Sequence, residues 1–172
     1  MHWTFMVKFL DNLFEAEKIL HTLSQLMDSN FPIIQDKQFL LKILEETNFV
    51  IIKCVEAILY YEHLKGKIVL SSDKKINLKI FMDKCALKYD INSNEKMKIL
   101  QLFDLNEKHK QSVCEFKRNG GVVILSKDSV PCFFDIIKAK DFLDLGKSIL
   151  IRILEKIKGN FEFEINIKRI RY

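Results

Sequence analysis

Residues 36–64, DKQFLLKILEETNFVIIKCVEAILYYEHL, carry the pattern on which the rest of the chain depends. Leu40, Leu44, Thr47, Ile51, Cys54, Ile58 and Tyr61 recur at alternating steps of four and three, the spacing that stacks side chains on one face of an α-helix. Ile43, Val50 and Ala57 widen this stripe on one edge, Val55 and Leu59 on the other. An apolar arc this broad predicts a central helix covered on more than one side. At about 1.5 Å per residue it runs roughly 44 Å, enough to span a small domain and give every other element a surface to pack on.

Upstream, Met6, Phe9, Leu13, Ala16, Leu20, Leu23 and Met27 keep the same spacing and predict a helix over residues 4–27. Laid antiparallel to the central helix, it makes a long αα-hairpin. Residues 28–32, ending in Pro32, form the turn, Asp36 supplies the next N-cap, and Trp3 is expected to close the hairpin's far end. Downstream, Gly66 is a stop signal, followed by a short extended segment at 67–70. Asn77 is expected to cap a short helix carrying Leu78, Phe81, Met82 and Cys85. Asn92-x-x-Glu95 reads as a capping box opening a helix to about residue 110, with Met97, Leu100, Phe103 and Leu105 inward.

The chain changes character at Gly120-Gly121. A β-branched run, a polar turn at 126–129 and a second apolar run predict a β-hairpin over about residues 121–136, with Pro131 marking an exposed edge. Residues 138–158 return to helical spacing, with Phe142, Leu145, Ile149, Ile153 and Ile157 inward and Gly159 as the stop. Phe161, Phe163, Ile165 and Ile167 then alternate with Glu162, Glu164, Asn166 and Lys168, the period of a strand with one wet face. The expected fold is mostly α. A long antiparallel helical hairpin lies in a helical bundle, beside a small antiparallel β-sheet made by the hairpin and a C-terminal strand at about 161–168, all in a single domain over residues 1–172.

Composition bounds the function. An apolar fraction of 48% with 30% charged residues is ordinary for a globular protein, and 5 Gly with 2 Pro argue against long disordered linkers. Cys54, Cys85, Cys114 and Cys132 are isolated, with no Cys-x-x-Cys pair, so no metal site is expected; Cys54 and Cys85 read as reduced, buried residues of a cytoplasmic protein. Asp11, Glu15, Glu17 and Lys18 break the N-terminal apolar run, which therefore reads as a folded helix and not a signal peptide. Glu45, Glu46, Lys53 and Glu56 do the same for a membrane span in the central helix.

Charge is unevenly spread. Residues 1–64 hold 5 Lys+Arg against 9 Asp+Glu, whereas residues 65–172 hold 23 against 14. Two readings follow: the basic part meets a polyanion, or the two parts complement one another within a fold or an oligomer. The densest basic stretch, residues 65–88, contributes Lys74, Lys75, Lys79 and Lys84, and the tail adds Lys168, Arg169 and Arg171. Lys117 and Arg118, beside Phe116, make a second basic and aromatic cluster. These nine residues are the candidate nucleic-acid contacts, suited to phosphate binding without base reading.

No catalytic or cofactor-binding constellation stands out. Gly146-Lys147-Ser148 resembles the tail of a phosphate-binding loop, but Asp141 stands where that loop needs its first glycine, and the triplet lies within helical spacing. Gly146 reads instead as a close helix contact. His2, His21, His63 and His109 lack metal-ligand spacing, and a Cys–His pair such as His109 with Cys114 is one of many arithmetically possible combinations. The helical hairpin and its following helices, over about residues 4–112, resemble the HEPN class of small prokaryotic helical bundles, many of them RNA-cleaving toxins. That class uses an Arg-x(4–6)-His motif, but here Arg118, Arg152, Arg169 and Arg171 all follow the last histidine, His109. The resemblance therefore implies architecture without the ribonuclease activity. The function expected is that of a non-enzymatic helical module, binding a protein partner or itself; the alternatives are non-specific RNA or DNA binding by the basic C-terminal part and, against the missing motif, a HEPN-type ribonuclease.

Overall fold

The computed structural model describes the backbone of residues 2–29, 36–127 and 130–169, and the side chains of 6–27, 36–127 and 130–157. In order the chain forms α1 (His2–Ser29), α2 (Lys37–Leu64), α3 (Lys74–Ile80), α4 (Ser93–Lys110), β1 (Ser112–Arg118), β2 (Gly121–Ser126), β3 (Pro131–Phe134) and α5 (Ile136–Arg169). It is mostly α with a small three-stranded antiparallel sheet, as the spacing predicts. Of the turn expected at 28–32, residues 28–29 belong to α1 and residues 30–32 lie outside the described residues, as does the side chain of Trp3.

All seven residues of the central stripe are buried, and Asp36 caps α2 by accepting a hydrogen bond from the Gln38 N–H at 2.7 Å. α1 runs antiparallel along α2: Phe9 meets Tyr61 with ring centroids 5.3 Å apart, while Lys53 pairs with Glu15 at 2.8 Å. α5 crosses this pair at Gly146, where an added Cβ would lie 3.4 Å from both Leu20 and Val50, so the glycine brings three helices together. Its five expected inward residues are all buried.

α2 ends in a left-handed turn at Gly66 (φ +67°). The Gly66 N–H donates to the His63 carbonyl and the Lys67 N–H to that of Glu62, both at 2.9 Å, which reverses the chain. Residues 67–73 form no regular element. α3 continues into a π-helical turn, Phe81–Cys85, and a 3-10 turn, Ala86–Tyr89. Asp73, not Asn77, caps α3, taking the Lys75 N–H at 2.7 Å; Asn77 clamps Ser71 instead.

Further expectations need correction. In α4, which opens with the Asn92/Glu95 capping box, the buried face is Ile99, Leu102, Leu105 and Asn106, whereas Met97 and Leu100 are 60% and 48% exposed. The helix is apolar on two faces, and packing against α2 and β2 selects one. The third strand of the sheet is β1, not residues 161–168. Those residues are helical within α5, which runs straight through Gly159. A glycine costs only about 1 kcal/mol inside a helix, and Phe161/Ile165 and Glu164/Lys168 are at the i,i+4 spacing that favours helix. The place beside β2 is taken by β1, since β2 lies between β1 and β3 with Arg118 opposite Gly121 and Val122 opposite Phe134. The sheet seats on the helices through Phe134, stacked on Phe142 at 6.4 Å.

Glu95 ties α4 to α5. Its carboxylate caps the Asn92 N–H and receives two Arg152 nitrogens, at 2.5 and 3.1 Å; Arg152 also donates to the Asp90 carbonyl. The Arg152 hydrogen bond, helped by the Asn92 N–H and by Lys98 and opposed by burial, holds the Glu95 carboxyl below its ordinary value. A carboxyl depressed in the folded state stabilises the fold above its unfolded value and loses that contribution as pH falls through the folded one. Glu95→Gln is therefore expected to cost about 1–2 kcal/mol at pH 7. The gap to wild type should narrow below about pH 4.3. Denaturant melts at pH 7 and pH 3 check this; an equal gap at both would show that the charge contributes nothing.

Candidate binding groove

A groove lies over the outer edge of α2, where Val55 and Leu59 are buried at its base. Val55 and Leu59, on the edge that widens the central stripe, form its floor with Ile52, and its volume is about 540 Å³. Leu78 of α3 and Phe103 of α4 supply its apolar walls. The chain reversal at Gly66 brings residues 70–72 back along α2 as the remaining side. His63 Nδ1 lies 3.0 Å from the Ile68 carbonyl and pins this return. The Ser71 N–H donates to Asn77 Oδ1 and Asn77 Nδ2 donates to the Ser71 carbonyl, both at 2.8 Å, so loop and helix are locked to each other.

The groove is positive. Lys8, Lys74 and Lys75 line it with Glu56 as counter-charge. Lys8 Nζ stands 5.9 Å over the Tyr60 ring. Burial, then the Glu56 carboxylate, push the Tyr60 hydroxyl above its ordinary value, with Lys53 opposing, so the phenol stays protonated at neutral pH.

The sequence-predicted cations separate into two places. Lys74 and Lys75 reach the groove, and Lys79 and Lys84 lie exposed further along the same segment. Lys117 and Arg118 are at the end of β1, which is anchored near the other end of α2 by Lys37 Nζ donating to the Glu115 carbonyl at 3.1 Å. Between Lys37 and the groove floor α2 rises about 20–30 Å, so these two groups form no single patch. Lys168 and Arg169 have described backbone only, within α5, and Arg171 lies outside the described residues. Glu62–Lys88 joins the acidic and basic parts of the chain, whereas Arg152–Glu95, Lys98–Asp141 and Lys156–Asp90 form within the basic part.

Two polar clusters escape sequence reasoning because their members are distant in the chain. His109 faces Glu115 Oε1 at 2.5 Å and Glu45 Oε1 at 3.2 Å, and Ser112 donates to Glu115 at 2.9 Å, which fastens the start of β1 to α2. Both His109 ring nitrogens are thus engaged by carboxylates instead of Cys114. Buried Glu62 accepts from Lys88 at 2.7 Å and from the Tyr89 hydroxyl at 3.2 Å. Burial pushes the Cys54 thiol up to about 12; burial and then Glu62 push Cys85 up to about 11. Both therefore stay as unreactive thiols at neutral pH.

Among the described residues, no helix is long and apolar enough to cross a membrane, and no group of three or more His, Cys, Asp or Glu could hold a metal ion. No protein-family model, no curated protein and no solved structure matches the chain. Fold and groove together define a mostly helical protein with a small antiparallel sheet and an open, basic-rimmed apolar groove along its central helix.

Proposed function

We propose that this protein is a non-enzymatic binding module of the cytoplasm, acting through its helical hairpin on a protein partner or on a second copy of itself. The observation that carries this reading is on α1. Val7, Leu10 and Phe14 stand 39%, 48% and 70% exposed, spaced by three and four on the face opposite the helix's buried residues. A water-facing stripe with helical spacing is a contact surface in waiting, because covering its remaining apolar surface is worth about 25 cal/mol per Å². Light scattering across a range of concentrations tests self-association. A dimer that Phe14→Glu turns into a monomer supports a homotypic contact; a monomer at every concentration removes it and leaves the heterotypic one. The HEPN-like likeness enters as an architectural proposal, and ribonuclease activity is no part of it.

A second reading, non-specific RNA or DNA binding, is favoured by one observation: Lys74, Lys75, Lys79 and Lys84 are all exposed along one short segment. It requires affinity for labelled oligonucleotides that falls steeply with salt. Reversing Lys74, Lys75, Lys168 and Arg169 together should lower the log–log salt slope by about 0.9 for each phosphate no longer neutralised. Salt-independent affinity excludes it.

A further inference from the structure

We infer that the groove on α2 is a binding site for a small amphiphilic anion, an apolar tail ending in a carboxylate. This goes beyond the contact surface proposed on α1. Three features point to that chemistry. The volume of about 540 Å³ falls in the range of small-ligand pockets, roughly 300–1,000 Å³, and is bordered by Ile52, Val55, Leu59, Leu78 and Phe103. These side chains reward an apolar tail. The rim carries Lys8, Lys74 and Lys75 from two separate stretches of chain against the single carboxylate of Glu56. Long lysine stems can lie along the apolar wall while their ammonium groups meet a charged head at the water boundary. Finally, the wall is built before any ligand arrives: the paired Ser71–Asn77 hydrogen bonds and the Asp73 cap on the Lys75 N–H hold the lysine-bearing turn in place. Such preorganisation lowers the entropic cost of binding. A peptide helix, about 10–12 Å across with its side chains, is a poorer match to a groove of this volume than a single chain.

Calorimetry on the 172-residue chain tests the site with three probes: dodecanoate below its micellar concentration, dodecan-1-ol with the same tail and no charge, and acetate with the head alone. Dodecanoate should bind saturably at one site, dodecan-1-ol about tenfold more weakly, and acetate not measurably. Lys74→Glu combined with Lys75→Glu alters exposed positions; it should weaken dodecanoate about tenfold and leave dodecan-1-ol unchanged. Leu78→Trp, with its fold checked by circular dichroism, should block both. In amide NMR spectra the shifts caused by dodecanoate should centre on Leu59, Leu78 and Phe103. Non-saturating dodecanoate heats, equal affinity for the alcohol, indifference to the lysine reversals, or shifts centred on Phe14 would each overturn the inference. Binding of an oligonucleotide without dodecanoate would overturn it in favour of a polyanion surface.

Discussion

Replacing Phe81 by alanine should cost about 3–5 kcal/mol, the largest loss expected from a single substitution here, and should dismantle the groove before the rest of the fold. α3 has no buried residue of its own. Leu78 and Ile80 are only partly buried against the core, and the deeper anchor is the segment that follows, where Phe81, Cys85 and Ala86 are fully buried and Tyr89 nearly so. The Ala86 N–H reaches back to the Phe81 carbonyl, five residues away, which makes the turn π-helical. Phe81 is therefore the first side chain after Asp73 that sinks into the core, and the lysine-bearing wall hangs from it. Truncating it leaves a cavity that the surrounding helices can only partly fill. Chemical denaturation measures the global loss, and hydrogen exchange should show residues 74–85 losing protection first. If residues 74–85 keep wild-type protection, α3 is held by the Asn77–Ser71 clamp and not by Phe81.

How legible this molecule is depends on how far apart the deciding residues lie. α2 is plain because its seven-residue stripe, its Asp36 cap and its Gly66 stop are all local, and its observed bounds, Lys37–Leu64, fall within a residue of those expected. α1 follows for the same reason. α4 shows where local spacing is ambiguous: Met97/Leu100 and Ile99/Leu102 both fit a helical face, and only packing on α2 and β2 separates them. Residues 161–168 mislead because strict alternation also places Phe161 over Ile165 in a helix. β1 is hidden by its own exposure, since an edge strand bearing Val113, Glu115 and Lys117 has no clean apolar face. Its one strong local signal is Asn119-Gly120, both with positive φ, the two-residue hairpin turn that joins Arg118 to Gly121. Candidate cations are visible as charge, but the groove is not. Its walls come from stretches as distant as Lys8 and Phe103, and nothing in the spacing says that a groove is left above the edge of α2 where Val55 and Leu59 are buried.

The same turn supplies the second large effect. Gly121→Ala is expected to destabilise the protein by about 2–3 kcal/mol, although its neighbour Gly120 looks like the more demanding glycine. Gly120 has φ +76° and open space around it, so a side chain there pays only for the left-handed backbone, about 1–2 kcal/mol. Asparagine, which tolerates that conformation, should be nearly neutral at Gly120. Gly121 fails on space. A Cβ would stand 2.5 Å from the Phe133 ring and 2.8 Å from the Phe134 carbonyl oxygen. The ring can swing away, but the oxygen belongs to the backbone of β3, directly beside β2 in the sheet. Relief there means parting β2 from β3, which also pulls on the Phe134–Phe142 stack that joins the sheet to α5. Combining Gly121→Ala with Phe133→Ala separates the two obstacles in a double-mutant cycle. The ring's share of the penalty should vanish and the carbonyl's should persist, leaving the coupling smaller than the full cost of Gly121→Ala. If Phe133→Ala rescues the alanine completely, the β2–β3 backbone has slack, and glycine at 121 is required by the ring alone.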